Sequence, residues 1–252
     1  MTDSTIVLIT GANSGIGYAT TKLLASYPNY HIIMGCRDVR KGEQALKEIQ
    51  QSLLPQSTLS VLELDVTNDA SIATATETVE SQHGRIDAFI SNAGTTAQSS
   101  TGRAKYQAIF ETNVFGAVLA SEAFIPLLRK SPRSTYLIQV SSALGSVGLA
   151  ADSESPLYNV PWDLYRMSKA ALDMATIQMH KRLKEEDSNV RVFAFCPGLV
   201  RSRLRGESEE QISAQGTAGD PMDSARALLR VLRGERDADV GGFVHANGTW
   251  PW

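Results

Sequence analysis

The chain has 252 residues, 42% of them hydrophobic and 20% charged, with a net charge of −3. That length allows one large α/β domain or two small ones, with a sizeable core. The balanced charge gives no sign of a nucleic-acid partner or a disordered like-charged tail. Two cysteines, Cys36 and Cys196, form no disulfide framework and fit a reducing compartment. The four histidines, His31, His83, His180 and His245, lie far apart in the chain, so no metal site is expected. The opening "MTDSTIVLIT" lacks the basic and long apolar regions of a signal peptide. No run approaches the ~18 apolar residues of a membrane span. A cytoplasmic protein without a membrane partner is expected.

In chain order, "TIVLIT" (5–10) reads as a buried strand, followed by a glycine-rich turn and a helix through "YATTKLLASY". "HIIMGC" (31–36) is a second strand and "DVRKGEQALKEIQQSL" a charged helix. "TLSVLELDV" (58–66) is the third strand, and "SIATATETVESQHG" a helix closed by glycine. "IDAFISNAG" (86–94) is the fourth strand and its exit; a long helix should cover 103–129. "TYLIQVSSALG" is the fifth strand, followed by a helix containing "YRMSK" (165–169). "VRVFAFCPG" is the sixth strand, "MDSARALLRVLR" the last helix and "GGFVHANG" a short seventh strand.

Strands alternating with helices predict βαβ units, a parallel sheet and helices on both faces. Without internal repeats or linkers, one domain over 1–252 is the economical reading. Two long polar segments, 146–163 and 201–219, break the rhythm. Both follow strands, so both should lie beyond the carboxyl ends of the sheet, where ligands bind.

"TGANSGIG" (10–17) joins the first strand to the first helix. Its glycines let a ligand approach the backbone, and the free N–H groups of the helix start face an anion. The spacing T-G-x-x-x-G-x-G resembles that of the short-chain dehydrogenase/reductase family. Further motifs follow in order: "NAG" at 92–94, "NVFG" at 113–116, "SSALG" at 141–145, Tyr165 and Lys169 as Y-x-x-x-K, and "PGLVRS" at 197–202, where Ser202 replaces threonine. The resemblance covers nearly the whole chain, and "HANGTWPW" is similar to the close of small carbonyl-reductase-like members.

The resemblance implies a Rossmann-type, doubly wound sheet of about seven strands in the order 3-2-1-4-5-6-7, and a nicotinamide cofactor. It implies cofactor contacts at Gly11, Asn13, Ser14, Gly15, Ile16, Gly17, Asn92, Ala93, Gly94, Pro197, Gly198, Val200 and Ser202. Asp65, followed by Val66, matches the residue that contacts adenine, although a turn or capping role for Asp65 stays open. At the end of the second strand the sequence reads "GCRD". Arg37 stands where NADP-preferring members carry an arginine that accommodates a 2′-phosphate; the alternative is a surface pair with Asp38. NADP(H) is the expected cofactor.

At the reacting end, a lysine one helical turn from a tyrosine favours phenolate, and residues four apart share a face. By resemblance Tyr165 is the general acid, Lys169 also holds the nicotinamide ribose, Ser142 binds the substrate oxygen and Asn113 completes a tetrad that orders a water. Ser141, adjacent on a strand, should face away. The implied activity is hydride transfer between NADP(H) and a small-molecule ketone, aldehyde or secondary alcohol. A non-redox enzyme of the same fold, such as an isomerase or epimerase, and an NADP-binding regulator remain alternatives. Ser142 and Tyr165 are 23 positions apart, about ten more than is common in the family, and the excess lies in "ADSESPLYNVPW". That insertion could shield the helices on which the family's tetramers pack, so monomer, dimer and tetramer stay open. Residues near Thr95 and segments 146–163 and 201–219 should form the pocket. Trp162 is either its apolar wall or a core residue, and 201–219, poor in large apolar residues, should be mobile without ligand.

Overall fold

The computed structural model describes residues 4–51, 54, 56–98, 100–186 and 188–252. The chain alternates β1 (Thr5–Thr10), α1 (Gly15–Ala25), β2 (Tyr30–Cys36), α2 (Val39–Gln50), β3 (Thr58–Glu63), α3 (Asp69–His83) and β4 (Ala88–Ser91). Then come α4 (Gly102–Phe110), a π-helical turn (Glu111–Gly116), α5 (Ala117–Arg129), β5 (Thr135–Val140), α6 (Val147–Ala151), α7 (Asp163–Glu185) and β6 (Val190–Phe195). The chain closes with α8 (Glu209–Ile212), α9 (Pro221–Leu232), β7 (Phe243–His245) and β8 (Gly248–Trp250).

These strands form one sheet in the order β3-β2-β1-β4-β5-β6-β7-β8. The first seven in that row pair parallel, as the βαβ rhythm predicts. The expectation of about seven strands falls one short. β8 folds back antiparallel on β7, with His245 opposite Gly248. The stacking of His245 on Trp250, 4.3 Å between ring centroids, fixes that hairpin. Ala246 and Asn247 form its two-residue loop.

Period-two alternation sends successive strand residues to opposite faces. Val7 and Ile9 join the core under α1, α2 and α9, with Leu24, Ile49 and Leu228. Ile6 and Leu8 join the opposite core under α3, α5 and α7, with Val79, Phe124 and Leu183. Fully buried parallel strands thus read as continuous apolar runs. The helical stretch Gly102–Arg129 is long and apolar enough to cross a membrane by composition, contrary to the reading of the sequence, and half of its most apolar window is buried within the fold. Its apolar residues Ala120, Phe124, Ile125 and Leu128 pack in the second core. Cys36 and Cys196 are both buried and free, as expected.

Candidate active site

The carboxyl ends of β1, β4, β5 and β6 carry the matched motifs. Gly11 and Gly15 adopt φ of +64° and +53°, which favour glycine. A Cβ on Gly17 would stand 2.5 Å from the Gly11 carbonyl oxygen and 2.7 Å from the Asn92 amide nitrogen. The turn is tied to the next strand through Thr10, a residue the sequence reading assigned no role. Its hydroxyl accepts from the backbone N–H of Asn92 and of Ala93, both at 2.9 Å. Asn92 in turn donates to the Thr10 carbonyl at 2.8 Å and the Gly11 carbonyl at 3.3 Å. "NAG" therefore buttresses the glycine turn as well as bordering the site.

The start of α1 is built to receive an anion. Ser14, at its N-cap, makes no side-chain cap, and the first turn holds no acidic residue. The unsatisfied N–H groups and the positive end of the helix dipole are left for a ligand such as a dinucleotide phosphate. Beside it, Arg37 is exposed. Asp38 does not pair with Arg37: it caps α2, accepting from Arg40 and Lys41 backbone N–H groups, and its ion pair is with Arg40 at 3.8 Å. Asp65 takes the turn geometry left open by the sequence: one carboxylate oxygen accepts from the backbone N–H and hydroxyl of Thr67, at 3.0 and 2.8 Å. Val66 is buried, and its carbonyl lies 2.5 Å from where a Gly116 Cβ would be, so Gly116 lets the π-helical turn close on it.

That turn carries Asn113. Its side-chain oxygen accepts from Thr95 N–H at 2.8 Å, and its amide nitrogen donates to the Thr95 carbonyl at 2.9 Å and the Ser168 hydroxyl at 3.1 Å. Fully buried, it pins the exit of β4 to α7. The expected uninterrupted helix over 103–129 is thus widened at the functional residue, as π turns often are.

On α7, Tyr165 and Lys169 face the end of β5. The Lys169 ammonium donates to the Val140 carbonyl at 2.7 Å and stands 5.7 Å from the Tyr165 ring centroid. Burial pulls the lysine down to about 8, against the opposing charge of Asp173. Burial likewise pushes the Tyr165 phenol above its ordinary value; the opposing pulls come from the Ser142 hydroxyl and the more distant Arg205. Ser142 caps a 3-10 turn, Ala143–Gly145, through Leu144 N–H at 3.2 Å. Gly145 lets that turn settle on α7: a Cβ there would lie 2.7 Å from both the Lys169 carbonyl carbon and an Asp173 carboxylate oxygen. Ser141 is buried, and its hydroxyl turns toward Asp173 on α7.

Trp162 is 36% exposed, which removes the core alternative. It holds φ +99° at the N-cap of α7, an unusual backbone state for a bulky residue, and its ring meets Tyr165 edge-on at 6.1 Å. The insertion before it is anchored from within "YRMSK": Arg166 donates to the Leu157 and Val160 carbonyls at 2.8 and 2.9 Å. α6 is fastened to the C-terminus, with Ser146 hydroxyl bonded to the Pro251 carbonyl and Gly148 N–H to that of Trp252. The exposed Phe115, Leu119, Met167 and Met174 show that the insertion leaves these outer helix surfaces uncovered.

Segment 201–219 is more structured than its composition suggested. A β-bridge from Val200 to Gly219 closes its base. Arg205 holds it from inside, donating to the carbonyls of Val200, Gln211 and Ile212. Thr96 and Gln98 reach across to the Leu204 and Arg205 carbonyls at 2.7 and 2.6 Å. The ordering comes from polar side chains bonded to main chain, which a count of apolar residues does not register. Ser202 caps a 3-10 turn through Leu204 N–H at 3.0 Å, and its hydroxyl oxygen would lie 3.7 Å from a Gly15 Cβ. Gly198 takes φ +76°, and the Pro197 carbonyl accepts from Ser224 at 2.7 Å. "PGLVRS" thus runs over the glycine turn.

A parallel, doubly wound sheet with a glycine cradle at the first β–α turn defines a Rossmann-type nucleotide-binding protein. The model of the short chain dehydrogenase family matches residues 5–213, and the chain belongs to that family. It is 35% identical over 232 residues to the short-chain dehydrogenase anuI of Penicillium roqueforti, covering 86% of this chain and 90% of that one. It is 35% identical over 263 residues to the short-chain dehydrogenase/reductase eupG of a Phoma species, covering 96% and 88%. Among solved structures, an NADPH-bound carbonyl reductase from chicken fatty liver superposes with a TM-score of 0.81 at 26% identity, covering 99% of both chains. The family's chemistry is oxidoreduction with a nicotinamide cofactor, and the glycine cradle and uncapped α1 fit such a group.

Proposed function

We propose that the protein is an NADP(H)-dependent carbonyl reductase, or an alcohol dehydrogenase in the reverse direction, acting on a small-molecule ketone or aldehyde. The observation that carries this reading is the convergence of Tyr165, Ser142 and Lys169 beside the end of β5, next to the cradle that opens α1. The guanidinium of Arg37, exposed and without an ion pair among the described residues, supports the 2′-phosphorylated cofactor, and so does the likeness to an NADPH-bound carbonyl reductase.

The bound nicotinamide would supply hydride to the carbonyl carbon, or accept it in reverse. Ser142 holds the substrate oxygen by a hydrogen bond and Tyr165 delivers a proton to that oxygen. A phenol pushed up by burial stays protonated at neutral pH, the form a reductase needs. Lys169 holds the cofactor ribose and places positive charge beside the phenol. Asn113 keeps the β4 exit and α7 in register. Trp162 gives the pocket an apolar wall at the reacting oxygen.

Purified protein mixed with NADPH and a panel of ketones and aldehydes, followed by nicotinamide absorbance, tests this reading. Loss of reduced-nicotinamide absorbance with equimolar alcohol supports it. Substrate converted at constant absorbance would replace it with a non-redox enzyme of the same fold, and saturable NADPH binding with no turnover would favour a regulator.

A further inference from the structure

One buried acid has no part in that scheme. Asp173 follows Lys169 by one helical turn and Tyr165 by two, so the three side chains share a face of α7. It is 4% exposed, and among the described residues neither carboxylate oxygen completes a hydrogen bond. Ser141, also buried, turns its hydroxyl toward the carboxylate without completing one. Gly145 seals the other side, where a Cβ would press on a carboxylate oxygen at 2.7 Å. Such an unsatisfied buried acid is expensive and needs a reason.

We infer that Asp173 is a positioning residue for the reaction: sealed behind Lys169, its carboxylate is the counter-charge that keeps the buried ammonium protonated and in place. This rests on the reductase reading, in which the charge of Lys169 serves both cofactor and phenol. The groups facing Asp173 are few. From its own helix come Lys169 and Tyr165, from the exit of β5 the Ser141 hydroxyl, and from the end of β6 Cys196. Burial pushes both the Cys196 thiol and the Tyr165 phenol up, so each is neutral near pH 7. Among these four groups, the charge that answers Asp173 is that of Lys169. The pair is reciprocal. Burial raises Asp173 to about 7, against Ser141 and Lys169, while Asp173 opposes the burial that brings Lys169 down to about 8. Each member favours the ionised form of the other against the burial they share.

The test is the pH dependence of NADPH binding, read by its fluorescence from about pH 6 to pH 10, with kcat/KM measured in parallel. Asp173→Asn keeps the shape and removes the charge. Its affinity should match wild type at the acid end and fall off about one pH unit earlier on the alkaline side, since an opposed charge at this range moves a pKa by about 1–3 units. Ser141→Ala leaves the carboxylate but removes the hydroxyl that favours its ionised form, and should move the midpoint the same way by less. A role confined to packing would lower thermal stability and leave both midpoints where they are. Midpoints of both variants equal to wild type would overturn the inference. If the Asn variant does not fold, the Ser141→Ala midpoint decides. Because binding is read without a carbonyl substrate, failure of the reductase reading shows separately, as a wild type that binds NADPH and reduces no ketone.

Discussion

On α7, Tyr165, Lys169 and Asp173 lose solvent beneath the carboxyl ends of β5 and β6. At the opposite end of the strands, His31 near the start of β2 and His83 at the end of α3 lose it too, with ring centroids 4.5 Å apart. In both places burial is the largest cause of the shift. The surroundings differ. The nitrogens of His31 meet the hydroxyls of Thr58 and Ser60, at 2.5 and 3.3 Å, and the strand pairing explains both contacts. On α7 an ammonium, a phenol and a carboxylate without a hydrogen-bond partner among the described residues converge beside the glycine cradle. A shifted pKa therefore does not by itself mark a site; unlike groups gathered at an opening do.

The largest effect should separate the two places cleanly. Tyr165→Phe should lower turnover by about 10²–10⁴-fold, the usual contribution of a general acid, while NADPH affinity stays near wild type. His31→Gln, assayed beside it at neutral pH, should leave turnover unchanged. Steady-state kinetics and fluorescence titration read both. A Phe variant retaining more than roughly a tenth of the wild-type rate would remove Tyr165 from the acid role.

Function without burial comes next. Arg37 is exposed, the reverse of Lys169, and has no ion pair among the described residues. A charge-assisted contact with a phosphate is worth about 1.5–3 kcal/mol, or about 10–150-fold. Arg37→Ala should narrow the preference for NADPH over NADH by that range, chiefly by weakening NADPH. Equal kcat/KM for the two cofactors in the wild type would show that Arg37 reads no phosphate.

What was legible in the sequence follows from the same contrast. Backbone sites announce themselves: the glycines at 11, 15 and 17 are where φ or close approach requires them, and the strands around them are continuous apolar runs. The spacing of Tyr165 and Lys169 likewise fixed a shared helix face. Features made by long-range contact were not legible. Thr10 bonds to residues more than eighty positions away, and Arg205 structures a segment that composition suggested was loose. Asp173 drew no reading from the sequence, because its burial comes from Gly145, which lets the turn after β5 settle on it. The π turn at Asn113 is absent from any periodicity count because its neighbours keep ordinary helical spacing.

The smallest effect belongs to the histidine pair and concerns stability alone. Burial, followed by the charge of His83, holds His31 at about 4, below its ordinary 6.5. Between those values the unfolded chain binds a proton that the native protein refuses. Stability therefore falls as pH drops from about 6.5 toward 4, and the contribution levels off below that, where both states are protonated. His31→Gln cannot titrate and should lose less stability over this window. His83, also lowered by burial, contributes in the same direction and remains in the variant. Thermal midpoints measured at steps across the window give the difference curve. Parallel curves for wild type and variant would mean that His31 opens to water before it protonates. The edge of β2 and β3 would then be looser than its hydrogen bonds imply, and the contrast with the sealed face of α7 would widen.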